Sequence, residues 1–458
     1  MSRLFGKGNN YFRQIGVGNR SREKEWREVI VGREGEKIRR IEAFGAQSGC
    51  VTSSGDAYTW GYNFDGLGMT KVMNFYKTVP IIMTLIQRSV ILAKYLYFVN
   101  FNKTPLRLGR APGIFYTELR VGSGNIILRD STGQLYGVGD NRHGHCGIDK
   151  EINNLISEPS QIKFPADNEL FVSQFDTGIQ FTIVLSKKRQ LYGFGRRNWR
   201  QYNAIAVSKE NIELDFCAPP VACEMTLPGK VTHISAGFNH AVYIVDNTRA
   251  FCTGFNYFGQ CGLSNNIYEF LEKYYEVELP LTDTEYIIEL SSGMAHNVVL
   301  TSENRLIFWG GVDNNQHPDF SKIHKNTVVY TGPTVLTVPL VDGEIMTRVK
   351  CRQNRTIVWT DRDRVFIIGG DDFSHLYGLG KLDCWEVSAE FPGQVIRDVA
   401  LGLWHTLVTV DPKEPAEGTK SAQSEGQELK EKSKEEEIQK ENKKQHDASN
   451  KHFKKGDR

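Results

Sequence analysis

A glycine-anchored phrase recurs along this chain, and it limits the possible folds more than any other feature. Its clearest copies are Tyr58-Thr59-Trp60-Gly61-Tyr62-Asn63-Phe64-Asp65-Gly66, Tyr136 through Gly139-Asp140-Asn141-Arg142-His143-Gly144, and Phe251 through Gly254-Phe255-Asn256-Tyr257-Phe258-Gly259. Degenerate copies centre on Gly8, Gly195, Gly310 and Gly369, which makes seven. Successive anchor glycines lie 53, 78, 56, 59, 56 and 59 residues apart. Ahead of the anchors runs a second phrase, Gly-x-x-His or its remnant, followed by an apolar β-rich stretch. It is clearest at Gly237-Phe238-Asn239-His240, Gly293-Met294-Ala295-His296 and Gly402-Leu403-Trp404-His405. Polar turns such as Ser53-Ser54-Gly55-Asp56 and Asp130-Ser131-Thr132-Gly133 separate the two phrases. The resulting order is strand, tight turn, strand, glycine-rich loop. Strands this short cannot bury a face alone, so successive four-stranded sheets must pack radially, as in a propeller.

The chain ends sharpen that expectation. The last copy, Val399–Val410, supplies the Gly-x-x-His strand and then runs into a charged tail with no partner strand. The missing half stands at the beginning: Arg3-Leu4-Phe5-Gly6-Lys7-Gly8-Asn9-Asn10 continues to Gln14-Ile15-Gly16, which matches Gln260-Cys261-Gly262 at the same offset from its anchor glycine. Six complete units and two halves predict an all-β, seven-bladed β-propeller whose closing blade is shared between the N- and C-terminal strands, leaving no open radial edge. Residues 411–458 hold 12 acidic and 12 basic side chains. They are too polar to offset chain entropy, so a disordered C-terminal tail is expected after a propeller spanning 1–410.

This pattern resembles the regulator of chromosome condensation repeat family over about residues 2–410. The resemblance implies seven blades, a similarly split closing blade, and loop rims that bind other proteins. Many members serve as adaptors or regulatory subunits, and the founding member exchanges nucleotide on a Ran-type small GTPase. A non-catalytic protein-interaction propeller is therefore the expected function. Guanine nucleotide exchange on a Ran-type GTPase is the alternative, with Glu151–Pro165 and Asn211–Pro228 as candidate wedge loops. No counterpart of the founding member's basic chromatin-binding arm is expected, because the repeat begins almost at Met1. Trp404 beside His405 resembles the tryptophan-rich plant ultraviolet receptor of this family. The other copies have Phe238-Asn239 and Met294-Ala295 there, so light sensing is not expected.

The first-to-second anchor interval of 78 carries the apolar run Val79–Phe101, interrupted by Gln87, Arg88 and Lys94. Two cations at depth cost about 2.5–3.5 kcal/mol each in a membrane, and one crossing would split a closed ring, so no membrane span is expected. A helix over a blade edge, noncoding sequence read through, or a membrane or partner hook are the readings left open. A formal charge of +2 with a mean hydropathy of −0.39 gives no excess charge for general nucleic-acid binding, so no specific nucleic-acid partner is expected. The eight cysteines form no Cys-x-x-Cys pair, which argues against a zinc ribbon.

The chemical motifs reduce to structure. Gly-x-Gly pairs such as Gly137/Gly139 lack the third glycine of a dinucleotide loop and read as turn glycines. Asn63, Asn141 and Asn256 suit side-chain-stabilised turns. In His143-Gly144-His145-Cys146 the thiol holds the repeat position of Cys261, so a packed thiol with exposed imidazoles is expected in place of a metal cluster. His240, His296 and His405 occupy one repeat position and are expected to hold strands through hydrogen bonds. No cofactor and no metal site is expected.

Partner binding falls to the loops. Arg196-Arg197-Asn198-Trp199-Arg200 is a basic loop with an aromatic where other copies have Asn and Gly; Arg and Trp are enriched at interface hot spots. Arg196, Arg197, Trp199 and Arg200 are candidate contacts, the other reading being a solvated loop with Trp199 covering its own blade. Asp371 and Asp372 form an oppositely charged candidate beside Phe373. The arginines of residues 1–22 resemble a mitochondrial presequence, yet they encode the closing half-blade. A monomer in cytoplasm or nucleus, bound to a protein partner, is expected.

Overall fold

The computed structural model describes residues 2–33, 35–62, 101–149, 154–165, 170–196, 216–222, 227–256, 258–263, 270–311, 330–369 and 384–413. The chain divides into two units, Met1–Asp411 and Pro412–Arg458. The first holds seven four-stranded antiparallel sheets. Blade one comprises Ile38–Phe44, Gln47–Thr52, Ala57–Tyr62 and Phe101–Arg107, and blade two Tyr116–Val121, Asn125–Asp130, Leu135–Asp140 and Leu155–Gln161. Blade three comprises Val172–Thr177, Phe181–Ser186, Leu191–Arg196 and Phe216–Ala222, and blade four Val231–Ala236, His240–Val245, Arg249–Phe255 and Phe270–Val277. Blade five runs Ile287–Ser292, His296–Thr301, Leu306–Gly311 and Tyr330–Leu336, and blade six Met346–Arg352, Arg355–Thr360, Val365–Ile368 and Cys384–Glu386.

Blade seven is assembled from both ends of the described chain. Gln394–Leu401 and His405–Pro412 are followed in the sheet by Arg3–Gly8 and Glu23–Val29. Arg3 pairs with Val410 and Gly8 with His405, without a register shift. The shared closing blade read from the half-repeats is thus present.

Among the described residues no continuous apolar core runs along the axis. Seven clusters instead fill the seven clefts between neighbouring blades. Leu4, Ile15 and Leu407 of the closing blade meet Ile41, Cys50 and Trp60 of blade one, and Val399, Val408 and Val410 meet Ile357 and Val365 of blade six. Each first strand alternates. Ile41, Leu119, Phe175, Ile234, Leu290, Val349 and Val399 are buried in the clefts, which leaves the intervening positions for the axis. In blades one to six a bulge follows the first residue of that strand, as between Ile38 and Arg40 or Met346 and Arg348, a device that adds local twist.

The anchor phrase now has a structural role. Asn10, Asn141 and Asn256 each accept, at Oδ1, the backbone N–H of the residue five positions on (Ile15, Cys146 and Cys261, at 2.8, 3.1 and 2.9 Å). Their Nδ2 groups donate to carbonyls further along, at Asn19, Ile148 and Leu263. One side chain therefore staples the base of the loop after the third strand.

Connection lengths make the two faces unequal. Second-to-third turns have three or four residues. Third-to-fourth connections are the segments 63–100, 141–154, 197–215, 256–269, 312–329, 369–383 and 9–22. Antiparallel order sends all seven away from the same face.

Candidate functional site

Two axial positions per blade converge. The outer set is Arg40, Glu118, Gln174, His233, Glu289, Arg348 and Asp398, and the inner set Glu42, Arg120, Asp176, Ser235, Ser291, Lys350 and Ala400. All but Asp398 and Ala400 line a cavity of about 270 Å³ on the axis, with Arg352 at its floor. Its charges neutralise one another across blades. Lys350 Nζ lies 3.0 Å from Glu42 Oε1 and donates to the carbonyls of Ile41 and Val399 at 3.2 and 3.1 Å. Arg120 reaches Glu118 at 2.8 Å, Asp176 at 3.4 Å and Glu42 at 3.7 Å. Burial opposes its charge, but these carboxylates outweigh burial and push the Arg120 pKa up.

Asp398 and Glu289 hold the same repeat position and behave oppositely. Each accepts a backbone N–H from the next blade, Ile41 N at 3.1 Å and Val349 N at 2.6 Å. Burial would raise both carboxyls. At Asp398, Lys350 and Arg348 overcome it and hold the pKa below the usual range; at Glu289 burial prevails and the pKa is raised.

The well is closed at the long-connection end. Phe44 of blade one meets Phe238 of blade four across the axis, with ring centroids 5.0 Å apart. Arg352 of blade six crosses to blade three, donating to Thr177 O at 3.2 Å with its other nitrogen 3.5 Å from Asp176. Backbone bonds join neighbouring turns there, from Ile179 N to Phe238 O, Met294 N to Gln353 O and Leu403 N to Gly45 O (2.9, 2.6 and 2.8 Å). Exposure rises toward the other end, where Arg40 is exposed.

The Gly-x-x-His phrase builds pegs between blades. His240 Nε2 is 2.8 Å from Asn297 Oδ1, His296 Nε2 is 3.1 Å from Thr356 Oγ1, and His405 Nε2 is 2.7 Å from Ser48 Oγ, each partner in the next blade. The glycine is required because a Cβ at Gly237, Gly293 or Gly402 would overlap its own imidazole. Blade six replaces the pair with Arg352 and Arg355, and Arg355 makes the peg instead, donating to Thr406 Oγ1 at 3.1 Å. The hydrogen-bonding role expected of the three histidines is the one found.

Burial lowers their pKa values, to about 4 for His240 and about 3 for His296 and His405. An unfolded histidine titrates near 6.5, so below that pH the unfolded chain binds protons that the folded chain does not. Stability is therefore lost as pH falls through 6.5, by up to about 1.4 kcal/mol per pH unit for each histidine. Urea denaturation is expected to show a lower midpoint at pH 5 than at pH 7, and His405→Gln should flatten the dependence. Equal midpoints in the wild type would contradict neutral pegs.

Of the residues expected to touch a partner, Arg196 is described. It ends the third strand of blade three at the long-connection face, its N–H bonded to Gln180 O at 2.6 Å and its guanidinium to Gln180 Oε1 at 3.1 Å. Arg197, Trp199, Arg200, Asp371 and Asp372 lie outside the described residues, as does the apolar run except Phe101, which opens the fourth strand of blade one. Segments 197–215 and 369–383 leave their blades at the same face.

Two expectations need correction. Glu151–Pro165 and Asn211–Pro228 are not free loops, because Leu155–Gln161 and Phe216–Ala222 within them form the fourth strands of blades two and three. His145 is not exposed: it is fully buried between blades two and three, and burial lowers its pKa to about 4, although Cys146 beside it is the packed thiol expected. Among the described residues no group of three His, Cys, Asp or Glu side chains is placed to hold a metal, and no helix is long and apolar enough to cross a membrane.

The closed ring, the shared blade and the plugged axis define a seven-bladed propeller with one loop-rich face. Models of the regulator of chromosome condensation (RCC1) repeat match residues 132–185 and 231–260. The first match is offset by half a blade, running from the third strand of blade two into the second strand of blade three. The chain therefore carries repeats of the regulator of chromosome condensation type and is similar to proteins of that family. It is 22% identical over 310 residues to the ultraviolet-B receptor UVR8 of Arabidopsis thaliana, covering 68% of this chain and 60% of the receptor. To the regulator of chromosome condensation of Xenopus laevis it is 21% identical, covering 65% of this chain and 76% of that protein. The yeast RCC1 (Prp20), solved with Kap60 bound, superposes with a TM-score of 0.69 at 17% identity and 92% coverage of both chains, which shows the fold.

Proposed function

We propose that this protein is a non-catalytic interaction propeller, an adaptor or regulatory subunit that engages a protein partner through its long-connection face. One observation carries the reading: every long connection leaves that face, while the axial well is plugged beneath it by Phe44, Phe238 and Arg352. A face made of loops over a sealed axis suits a macromolecular surface better than a small substrate, because loops on a rigid scaffold are where binding residues concentrate. The charges on the axis are spent on one another, which favours a scaffold role for them. Yeast RCC1 (Prp20), on the same fold, has been solved with the protein Kap60 bound.

Within that reading, Arg196, Arg197, Trp199 and Arg200 form one contact region and Asp371 and Asp372 another, on a soluble monomer of the cytoplasm or nucleus. Alanine at Arg197, Trp199 and Arg200 together is expected to lower partner capture at least tenfold without moving the thermal midpoint. Unchanged capture removes these residues from the interface. Release of labelled GDP from Ran-type GTPases decides the alternative: acceleration at micromolar protein would replace the adaptor reading with nucleotide exchange.

A further inference from the structure

We propose that Cys252 and Cys261 are a dithiol modification site, which oxidation converts to a disulfide closing the base of the third-to-fourth connection of blade four.

The repeat itself shows that these positions are apposed. Cys252 lies two residues before anchor Gly254, and Cys261 seven after it. In blade seven the equivalent residues are Gly6 and Ile15, and a Cβ on Gly6 would overlap the Ile15 side chain. In blade two they are Gly137 and Cys146, and a Cβ on Gly137 would overlap the Cys146 backbone. Two other copies thus bring the same pair of positions into contact. Blade four puts a thiol at each, and the two Sγ atoms stand 2.7 Å apart. A disulfide needs about 2.05 Å, so little movement separates the dithiol from the bond.

The surroundings hold this contact in place. Asn256 Oδ1 accepts the Cys261 N–H at 2.9 Å, and Cys252 is fixed in a strand paired on both sides. Next to Cys261, Gln260 O accepts from Asn297 Nδ2 at 2.6 Å, and Asn297 in turn meets His240. The bond would therefore fasten the corner where the blade-four loop, its inner strand and blade five join.

With hydrogen peroxide as oxidant the step balances. One thiolate sulfur attacks the peroxide, giving a sulfenic acid and hydroxide. The second thiol attacks that sulfur, forming the S–S bond and releasing water, so two thiols and one peroxide give one disulfide and two waters. Both cysteines are fully buried, so the oxidant enters by local opening of the loop. Cys146 is equally buried in the same loop position but faces a glycine, and it serves as an internal standard for access.

The test uses the full native chain. After peroxide treatment and quenching, the protein is denatured, alkylated with N-ethylmaleimide and digested with trypsin. The peptide Ala250–Lys273 holds both cysteines and no other cleavage site. It is expected to lose two hydrogens and take no adduct, while the Cys146 peptide alkylates fully and the intact chain carries six adducts in place of eight. Dithiothreitol before alkylation should restore all eight. Full alkylation of Ala250–Lys273, oxygen addition without the two-hydrogen loss, or equal oxidation of Cys146 would each overturn the proposal. Partner capture is not read in this experiment, so its outcome is independent of the proposed function.

Discussion

A chain that starts at Asn19 is expected to show no cooperative unfolding at 25 °C, or to melt tens of degrees below the intact protein. Residues 1–18 contribute the third strand of the closing blade, paired on one side to residues 405–410 and on the other to the strand Glu23–Val29. They also contribute Leu4 and Ile15, both wholly buried, and their removal uncovers Leu407, Val29 and Trp60 in the same cleft. Gln14 O is lost as acceptor for Ser48 Oγ at 2.8 Å and Trp60 Nε1 at 2.9 Å, two buried donors of blade one. At roughly 1.5–3 kcal/mol for each large apolar side chain uncovered, the loss is on the order of 5–10 kcal/mol. That equals the whole net stability of an ordinary domain, about 5–15 kcal/mol. Calorimetry of the two chains makes the comparison, and a synthetic peptide of residues 1–18 added in trans should recover part of the transition. An unchanged melting temperature would mean that the ring does not depend on its shared blade.

Glu42→Ala is expected to be the most damaging single substitution on the axis. Its carboxylate faces Lys350, Arg120 and Arg352 at 3.0, 3.7 and 3.8 Å, and all four side chains are largely buried. Removing it leaves Lys350, Arg120 and Arg352 facing Glu118, Asp176 and Asp398, of which Glu118 and Asp398 are already shared with Arg129 and Arg348, and breaking a buried pair from one side costs about 3–5 kcal/mol. The urea midpoint should fall accordingly, with an unchanged m-value. Replacing Glu42 and Lys350 together by apolar residues of similar volume should recover much of the loss, since a matched buried pair is itself nearly neutral in net worth. A Glu42→Ala chain within about 0.5 kcal/mol of wild type would mean that water, not carboxylate, balances the well.

The blades were legible because their phrase is a backbone requirement. Gly237, Gly293 and Gly402 leave space for an imidazole, and Asn141 and Asn256 staple a loop, so the same residue types recur wherever the geometry does. Closure was legible for the same reason, since Ile15 repeats the place of Cys261. The axial well was not. His233-x-Ser235, Glu289-x-Ser291 and Asp398-x-Ala400 read locally as strands with one polar side, and a single strand cannot tell water from the polar sides of six others. A signal was nonetheless present: Phe44 and Arg352 stand where the phrase calls for glycine, and both turned out to plug the axis. The buried His145 was misread because a histidine beside a variable loop carries no mark of the blade that covers it. Of the partner candidates, Arg196 alone lies among the described residues, held to Gln180 at the end of its strand.

Pairing of Arg3 with Val410, reinforced by Ser2 donating to Asp411, puts both described ends where every other blade has a turn of three or four residues. The ring therefore has no privileged starting point, only a nick at the pole opposite the long connections. A dye or bead attached at Ser2 or Asp411 is delivered to that pole. All seven long segments depart from the opposite pole.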